Sequence, residues 1–189
     1  LRTKGFKVIK LIDAERKKII NSVRNFQTFL ALGGVGVFYY AGHAVNISGE
    51  DYIIPVDATN IRTIHDVQYE AINLSILLRP VDKIIEKQPK SNGAIIVYAA
   101  GKGQVASDGI DSLHSPFTEQ LIEDLNQDKY EIFDLFRSLT KGVSKKTKGK
   151  QVPWISASVD TEFYFNRPDN DIGILKIMFF DACRDNPFK

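Results

Sequence analysis

Ile174-Leu-Lys-Ile-Met-Phe-Phe-Asp-Ala-Cys183 decides the architecture: a nearly unbroken apolar run stops at an acid and then at the chain's single cysteine. Continuous apolar content of this kind is expected of a strand covered on both sheet faces. Val35 to Tyr40 repeats the pattern and stops at Ala41-Gly-His43. Ala94 to Ala99 is a third such run, broken into a loop by Gly101 and Gly103. Between these strands, Ile19, Ile20, Val23, Phe26, Phe29 and Leu30 recur at three- and four-residue spacing within Asp13 to Leu32. That is an amphipathic helix with its basic face in water. Strands alternating with helices, the strands apolar throughout, predict an α/β layered fold with a largely parallel sheet.

The remaining segments fill in around that frame. Leu1 to Ile12 reads as a helix end, a Gly turn and a short strand. Tyr52 to Val56 carries a strand signal, and Pro55 puts it at an edge or a strand end. Leu74 to Glu86 reads as helix. Ser115-Pro-Phe-Thr-Glu119 is a helix start, with Ser as cap and Pro in the first turn, running to about Asn126. A further helix is predicted over Ile132 to Thr140. Lys141 to Lys150, with five lysines and two glycines, reads as a solvated flexible loop.

Composition narrows the function classes. The 189 residues are 43% hydrophobic and 25% charged, enough for one well-cored domain. Lys plus Arg is 25 against Asp plus Glu at 23, a net charge of +2. A balance that even gives no warrant for nucleic-acid binding or for an anionic membrane surface. The longest apolar tract, Phe29 to Gly42, is shorter than a bilayer crossing, and no secretion signal is visible. One cysteine cannot form an internal disulfide, so a reducing, cytoplasmic setting is expected. Three scattered histidines and one cysteine offer no metal-ligand spacing. Gly33-Gly-Val-Gly36 precedes its strand and lacks a following Lys-Ser/Thr, so it is not a phosphate loop.

Open α/β sheets place their sites at the carboxyl ends of strands. If the strands ending at His43 and Cys183 are neighbours, both residues emerge on one rim. A thiolate nucleophile needs a nearby imidazole to lower its pKa and later protonate the leaving amine. On spacing alone, though, a lone His and a lone Cys are more often structural than catalytic. His65 reads as a surface residue and His114 as a loop contact. Trp154 either packs the core or walls a substrate pocket, and the core is favoured.

The local wording changes that balance. Phe38-Tyr-Tyr-Ala-Gly-His-Ala-Val-Asn-Ile-Ser-Gly-Glu-Asp-Tyr-Ile-Ile-Pro-Val-Asp-Ala58 resembles the histidine motif of the caspase-like cysteine peptidases. Phe179-Phe-Asp-Ala-Cys-Arg-Asp-Asn-Pro-Phe188 resembles the cysteine motif of their orthocaspase, metacaspase and paracaspase members. Val97 to Gly109 with Ser115-Pro-Phe-Thr118, and Gln151-Val-Pro-Trp154 with Phe163-Tyr-Phe165, are similar to segments of the family's small subunit. The resemblance implies a caspase-like (caspase-hemoglobinase) α/β fold, a mostly parallel central sheet flanked by helices.

It further implies a cysteine endopeptidase acting on polypeptides, with Cys183 as nucleophile and His43 as general acid-base. The backbone N–H groups of Cys183 and Ala44 would hold the oxyanion. The family usually has Gly at the latter place; if the backbone there needs positive φ, Ala costs about a kcal/mol or more. Asp181 lies two residues before the nucleophile, so strand alternation puts both side chains on one side. By resemblance Asp181 lines the primary pocket with Asp108 and Ala106, implying cleavage after Arg or Lys. Asp108 read alone could instead cap a turn with Gly109. Self-cleavage after Lys or Arg is expected, in an exposed loop joining the large and small parts or in Lys141 to Lys150. The resemblance is compatible with calcium activation and with fused or regulatory partner domains, and no cofactor is implied. The rival reading is a catalytically weak or inactive interaction module in a signalling or defence assembly.

The order of the motifs departs from the family. There the cysteine strand precedes the Tyr-Ala-Ala strand and lies between it and the histidine strand. Moving Asp169 to Lys189 between Lys90 and Ser91 restores that order. Residues 1–90 with 169–189 are then large-subunit-like and 91–168 small-subunit-like, together one domain that starts after the family's first strand and helix. Circular permutation, segments joined out of order and a nicked two-subunit protein are the competing origins. A sheet without its central strand would expose two edges, which favours the latter two.

Overall fold

The computed structural model describes residues 1–30, 34–75, 91–101, 106–107, 114–127, 130–159, 162–165 and 174–182. Its main sheet has four strands in the order β1 (Gly34–Ala41), β7 (Ile174–Asp181), β5 (Ser91–Tyr98), β6 (Trp154–Ser158). β7 runs parallel to both β1 and β5, and β6 closes the far side antiparallel to β5. The last strand of the chain therefore sits at the centre of the sheet, between the histidine strand and the Tyr-Ala-Ala strand.

Alternation along β7 explains its composition. Ile177 and Phe179 join one core with Ile95 and Val97 of β5 and with the apolar faces of α3 (Pro116–Leu125) and α4 (Ile132–Lys146). Met178 and Phe180 join the opposite core with Tyr98 and with Ile19 and Val23 of α1 (Arg16–Leu30). Both faces are dry, so neither set of positions can be polar. β1 differs from its expectation. Tyr39 is 39% exposed, because among the described residues β1 is an outer strand with a neighbour on one side only.

A second sheet stands beyond the end of β1, formed by β2 (Ala44–Ile47), β3 (Glu50–Ile53) and β4 (Ile72–Asn73), all antiparallel. The strand expected over Tyr52 to Val56 thus ends earlier, ahead of Pro55. A short helix, α2 (Ile64–Glu70), opens on a capping box in which Thr63 and Asp66 satisfy each other's backbone N–H groups.

Two further expectations are corrected. Residues 6–12 join no strand; the start of the chain is a 3-10 turn, Arg2–Lys4, closed by Gly5 at φ 83°. The lysine-rich segment is not a loop as far as Lys146. Ile132, Leu135, Phe136, Leu139 and Val143 form one buried stripe, and Val143 carries that stripe past the expected end at Thr140. The lysines are its solvent side, and Lys146 bridges to Glu119 at 2.9 Å and Glu123 at 2.8 Å on α3. β6 was not anticipated, since Trp-Ile-Ser-Ala-Ser has neither a long apolar run nor a strict alternation. Of the helix expected over Leu74 to Glu86, residues 76–86 lie outside the described residues.

Candidate active site

β1 ends at Ala41, and the chain turns through Gly42 to His43, which is exposed. The His43 backbone is fixed from two directions. Its carbonyl accepts from the Tyr40 hydroxyl at 2.6 Å and from the Ile54 N–H at 2.9 Å. Burial pushes the Tyr40 hydroxyl up to about 12, against a bond to the Ile54 carbonyl, so it stays a proton donor at neutral pH. Gly42 is required by that contact: a Cβ there would lie 2.8 Å from the Tyr40 hydroxyl oxygen.

Ala44 opens β2 and pairs with Ile53. Among the described residues the non-glycine positive-φ positions are Asp13, Ser48 and Lys148. Ala44 is not one of them, so the conformational cost anticipated for Ala at this place does not arise. Its neighbours are apolar with one exception. Ala44, Asp51, Ile53, Leu74, Tyr98, Phe180 and Ala182 line a cavity of about 10 Å³, room for about one water. Asp51 accepts from the Tyr98 hydroxyl at 2.9 Å and from Asn46 Nδ2 at 2.6 Å, which ties the small sheet to the main one.

Asp181 ends β7 directly opposite Ala41. It is 9% exposed, and one carboxylate oxygen, Oδ2, collects hydroxyl donors. Ser115 Oγ donates to it, Thr118 Oγ1 donates at 2.5 Å, and Tyr39 Oη stands at 3.4 Å. Ser115 is at the same time the cap of α3, accepting from the Thr118 N–H at 3.0 Å. Nothing in the spacing of Tyr39, Ser115 and Thr118 announces this convergence. The cap signal at Ser115 was legible; its second partner was not.

Beyond Asp181 the chain passes through buried Ala182. Cys183 and Asp108, expected as nucleophile and second pocket acid, lie outside the described residues. Ala106 is buried among Ala99, Ala100 and Phe117. Gln151 links the neighbouring Ser107 to the residue that follows β5, accepting from the Ser107 N–H at 3.0 Å and donating to the Ala99 carbonyl at 2.8 Å. His65 is exposed, as expected of a surface residue, and His114, expected as a loop contact, is exposed as well. Trp154 is corrected: it is 48% exposed at the start of β6, with its ring 5.8 Å from that of Tyr98. Among the described residues β6 is an outer strand with little covering it, so its large side chain stands at the rim and not in the core.

The described groups thus bring the backbone at His43 and Ala44 and the carboxylate of Asp181 to the carboxyl ends of adjacent parallel strands. No helix among the described residues is long and apolar enough to cross a membrane. The chain matches the family model described as "Caspase domain" over residues 1–164. That stretch holds His43, Ala44, Ala106 and Asp108 and stops before β7. Two curated relatives are similar over a shorter span: mucosa-associated lymphoid tissue lymphoma translocation protein 1 of Homo sapiens and its homolog of Mus musculus. Each is 40% identical over 60 residues, 32% of this chain. The chain spans about 7% of the length of these relatives.

Proposed function

Because the chain belongs to the caspase-domain family of peptidases, we propose that it is a cysteine endopeptidase that cuts polypeptides after Arg or Lys. The observation that carries this reading is the parallel register of β1 and β7, which pairs Ala41 with Asp181. His43 and Cys183 each follow two residues after the paired position. In the proposed reaction His43 takes the thiol proton, and the Cys183 sulfur attacks the scissile carbonyl carbon. The oxyanion is met by the N–H groups of Ala44 and Cys183. Collapse breaks the C–N bond as His43 protonates the leaving amine, leaving a thioacyl-enzyme. Water, deprotonated by His43, then releases the acid and restores the thiol.

Specificity for basic residues rests on Asp181, with Asp108 as the second acid. A buried carboxylate at the rim accepts a guanidinium through two parallel hydrogen bonds or an ammonium through one. A positional-scanning peptide library on the purified chain tests the proposal, with cleavage expected after Arg and Lys. Preferential cleavage after Asp, with Arg and Lys peptides untouched, would overturn the specificity. Failure of a peptidyl electrophile to label Cys183 would overturn the chemistry.

A further inference from the structure

The shortest contacts of the hydroxyl cluster around Asp181 fit one proton arrangement, with Tyr39 Oη also 3.4 Å from Oδ2. Thr118 has one hydroxyl proton, and its Oγ1 donates that proton to Asp181 Oδ2 at 2.5 Å. The 2.5 Å contact between Tyr39 Oη and Thr118 Oγ1 is then Tyr39 donating to Thr118. Ser115 Oγ accepts the Thr118 N–H and gives its own proton to the same carboxylate oxygen. Every hydroxyl proton in the chain from Tyr39 through Thr118 to Asp181, and from Ser115 to Asp181, is committed. Rotating the carboxylate about its Cβ–Cγ bond would break both direct bonds at once.

We propose that Thr118 and Ser115, backed by Tyr39, are positioning residues that lock the plane of the Asp181 carboxylate and thereby set a preference for Arg over Lys. This rests on the reading of Asp181 as the anchor for a basic side chain. Arg needs a fixed plane, because its two parallel N–H bonds meet both carboxylate oxygens only in one orientation. Lys carries a compact charge with three rotatable donors and follows a carboxylate that turns. Loosening Asp181 therefore weakens Arg substrates more than Lys substrates. If the cluster only fastened α3 to the sheet, its loss would lower both alike.

The test compares matched Arg and Lys peptides on the full chain and on Thr118→Val, Thr118→Ser and Ser115→Gly, with a thermal melt of each. Thr118→Val keeps the side-chain shape and removes the donor. Its KM for the Arg peptide is expected to rise about tenfold with kcat little changed, and the Arg-to-Lys ratio of kcat/KM to fall with it. Thr118→Ser restores the donor and should restore the ratio. Ser115→Gly keeps most of the helix cap and should lower the ratio as Thr118→Val does, which covers a Thr118→Val chain that fails to fold. An unchanged ratio in folded variants of an Arg-preferring wild type overturns this inference alone. A wild type that cuts neither peptide overturns the proposed specificity and this inference with it.

Discussion

Ala41 stands opposite Asp181 in the parallel pairing of β1 with β7, and one residue on, the Gly42 N–H donates to the Asp181 carbonyl across 3.3 Å. Adjacent strands lie about 4.8 Å apart, so both chains leave the sheet side by side. In the sequence, His43 and Cys183 each follow two residues after the paired positions Ala41 and Asp181. A nucleophile and base that act as one unit lose function together. His43→Ala and Cys183→Ala are each expected to abolish turnover, and the double variant to be little worse than either. Steady-state kcat on an Arg peptide checks this; near-normal turnover in Cys183→Ala would end the assignment.

On the proposed specificity, Asp181→Ala removes the buried partner of the substrate's cationic side chain. The expected cost is about 2–5 kcal/mol in transition-state binding of Arg substrates, the range for a buried charge partner deleted. The readout is kcat/KM for an Arg peptide beside alkylation of Cys183 by iodoacetamide, which needs no acidic pocket. Loss of both together would mean that the substitution had damaged the fold and not the specificity.

The central strand β7 was legible because it is covered on two sides. Ile177 to Phe180 have no solvent-facing position, so period and composition agree. Cap chemistry made the start of α3 equally plain, since Ser115 and Pro116 act locally. What failed to read was set by distant partners. Lys141 to Lys150 looks like a loop until Glu119 and Glu123 of α3 supply counter-charges to Lys146. Trp154 looks like core until β6 proves to be an outer strand among the described residues. Within the site, His43, Ala44 and Asp181 were nominated by motif and strand ends. Tyr39, Thr118 and Asp51 were not, because each acts through a hydrogen bond spanning 47 to 142 positions or bridging two sheets.

α1 approaches β1 closely at one place. A Cβ on Gly36 would lie 2.6 Å from Phe26 Cζ and 3.1 Å from Leu30 Cδ1. Phe26 and Leu30 are both on the helix, so relief requires the helix to shift or both side chains to leave their rotamers. Gly36→Ala is expected to destabilise by about 1–3 kcal/mol, the usual range for an overpacked core. At about 2–4 °C per kcal/mol for a chain of this size, a melt resolves it. A Tm at or above wild type would show that the contact yields without cost.

Asp124 of α3 makes the stability of the helical layer depend on pH. Its side chain is fully buried against α4, where Oδ1 accepts from Gln120 Nε2 at 3.2 Å and Ser138 Oγ at 2.8 Å, while Oδ2 has no partner. Burial raises its pKa above the ordinary 3.8; the Ser138 and Gln120 bonds oppose this, Glu123 adds to it and Lys146 opposes it. The folded chain therefore keeps a proton on Asp124 over a range in which the unfolded chain has released it. The resulting contribution is complete below about pH 3.8 and is lost as pH rises through the folded value. Asp66 works in the opposite sense, since the Arg62 and Thr63 N–H groups and the Thr63 hydroxyl hold it low, so the total curve mixes the two. Subtraction isolates Asp124. Asp124→Asn is uncharged at every pH and retains an acceptor for Gln120 and Ser138. Its stability relative to wild type is expected to improve as pH rises from about 4 and to level off once Asp124 is ionised in both states. Urea midpoints for both chains at several pH values between 4 and 8 measure the difference directly. A gap that stays constant across that range would mean that Asp124 enters the folded state already charged.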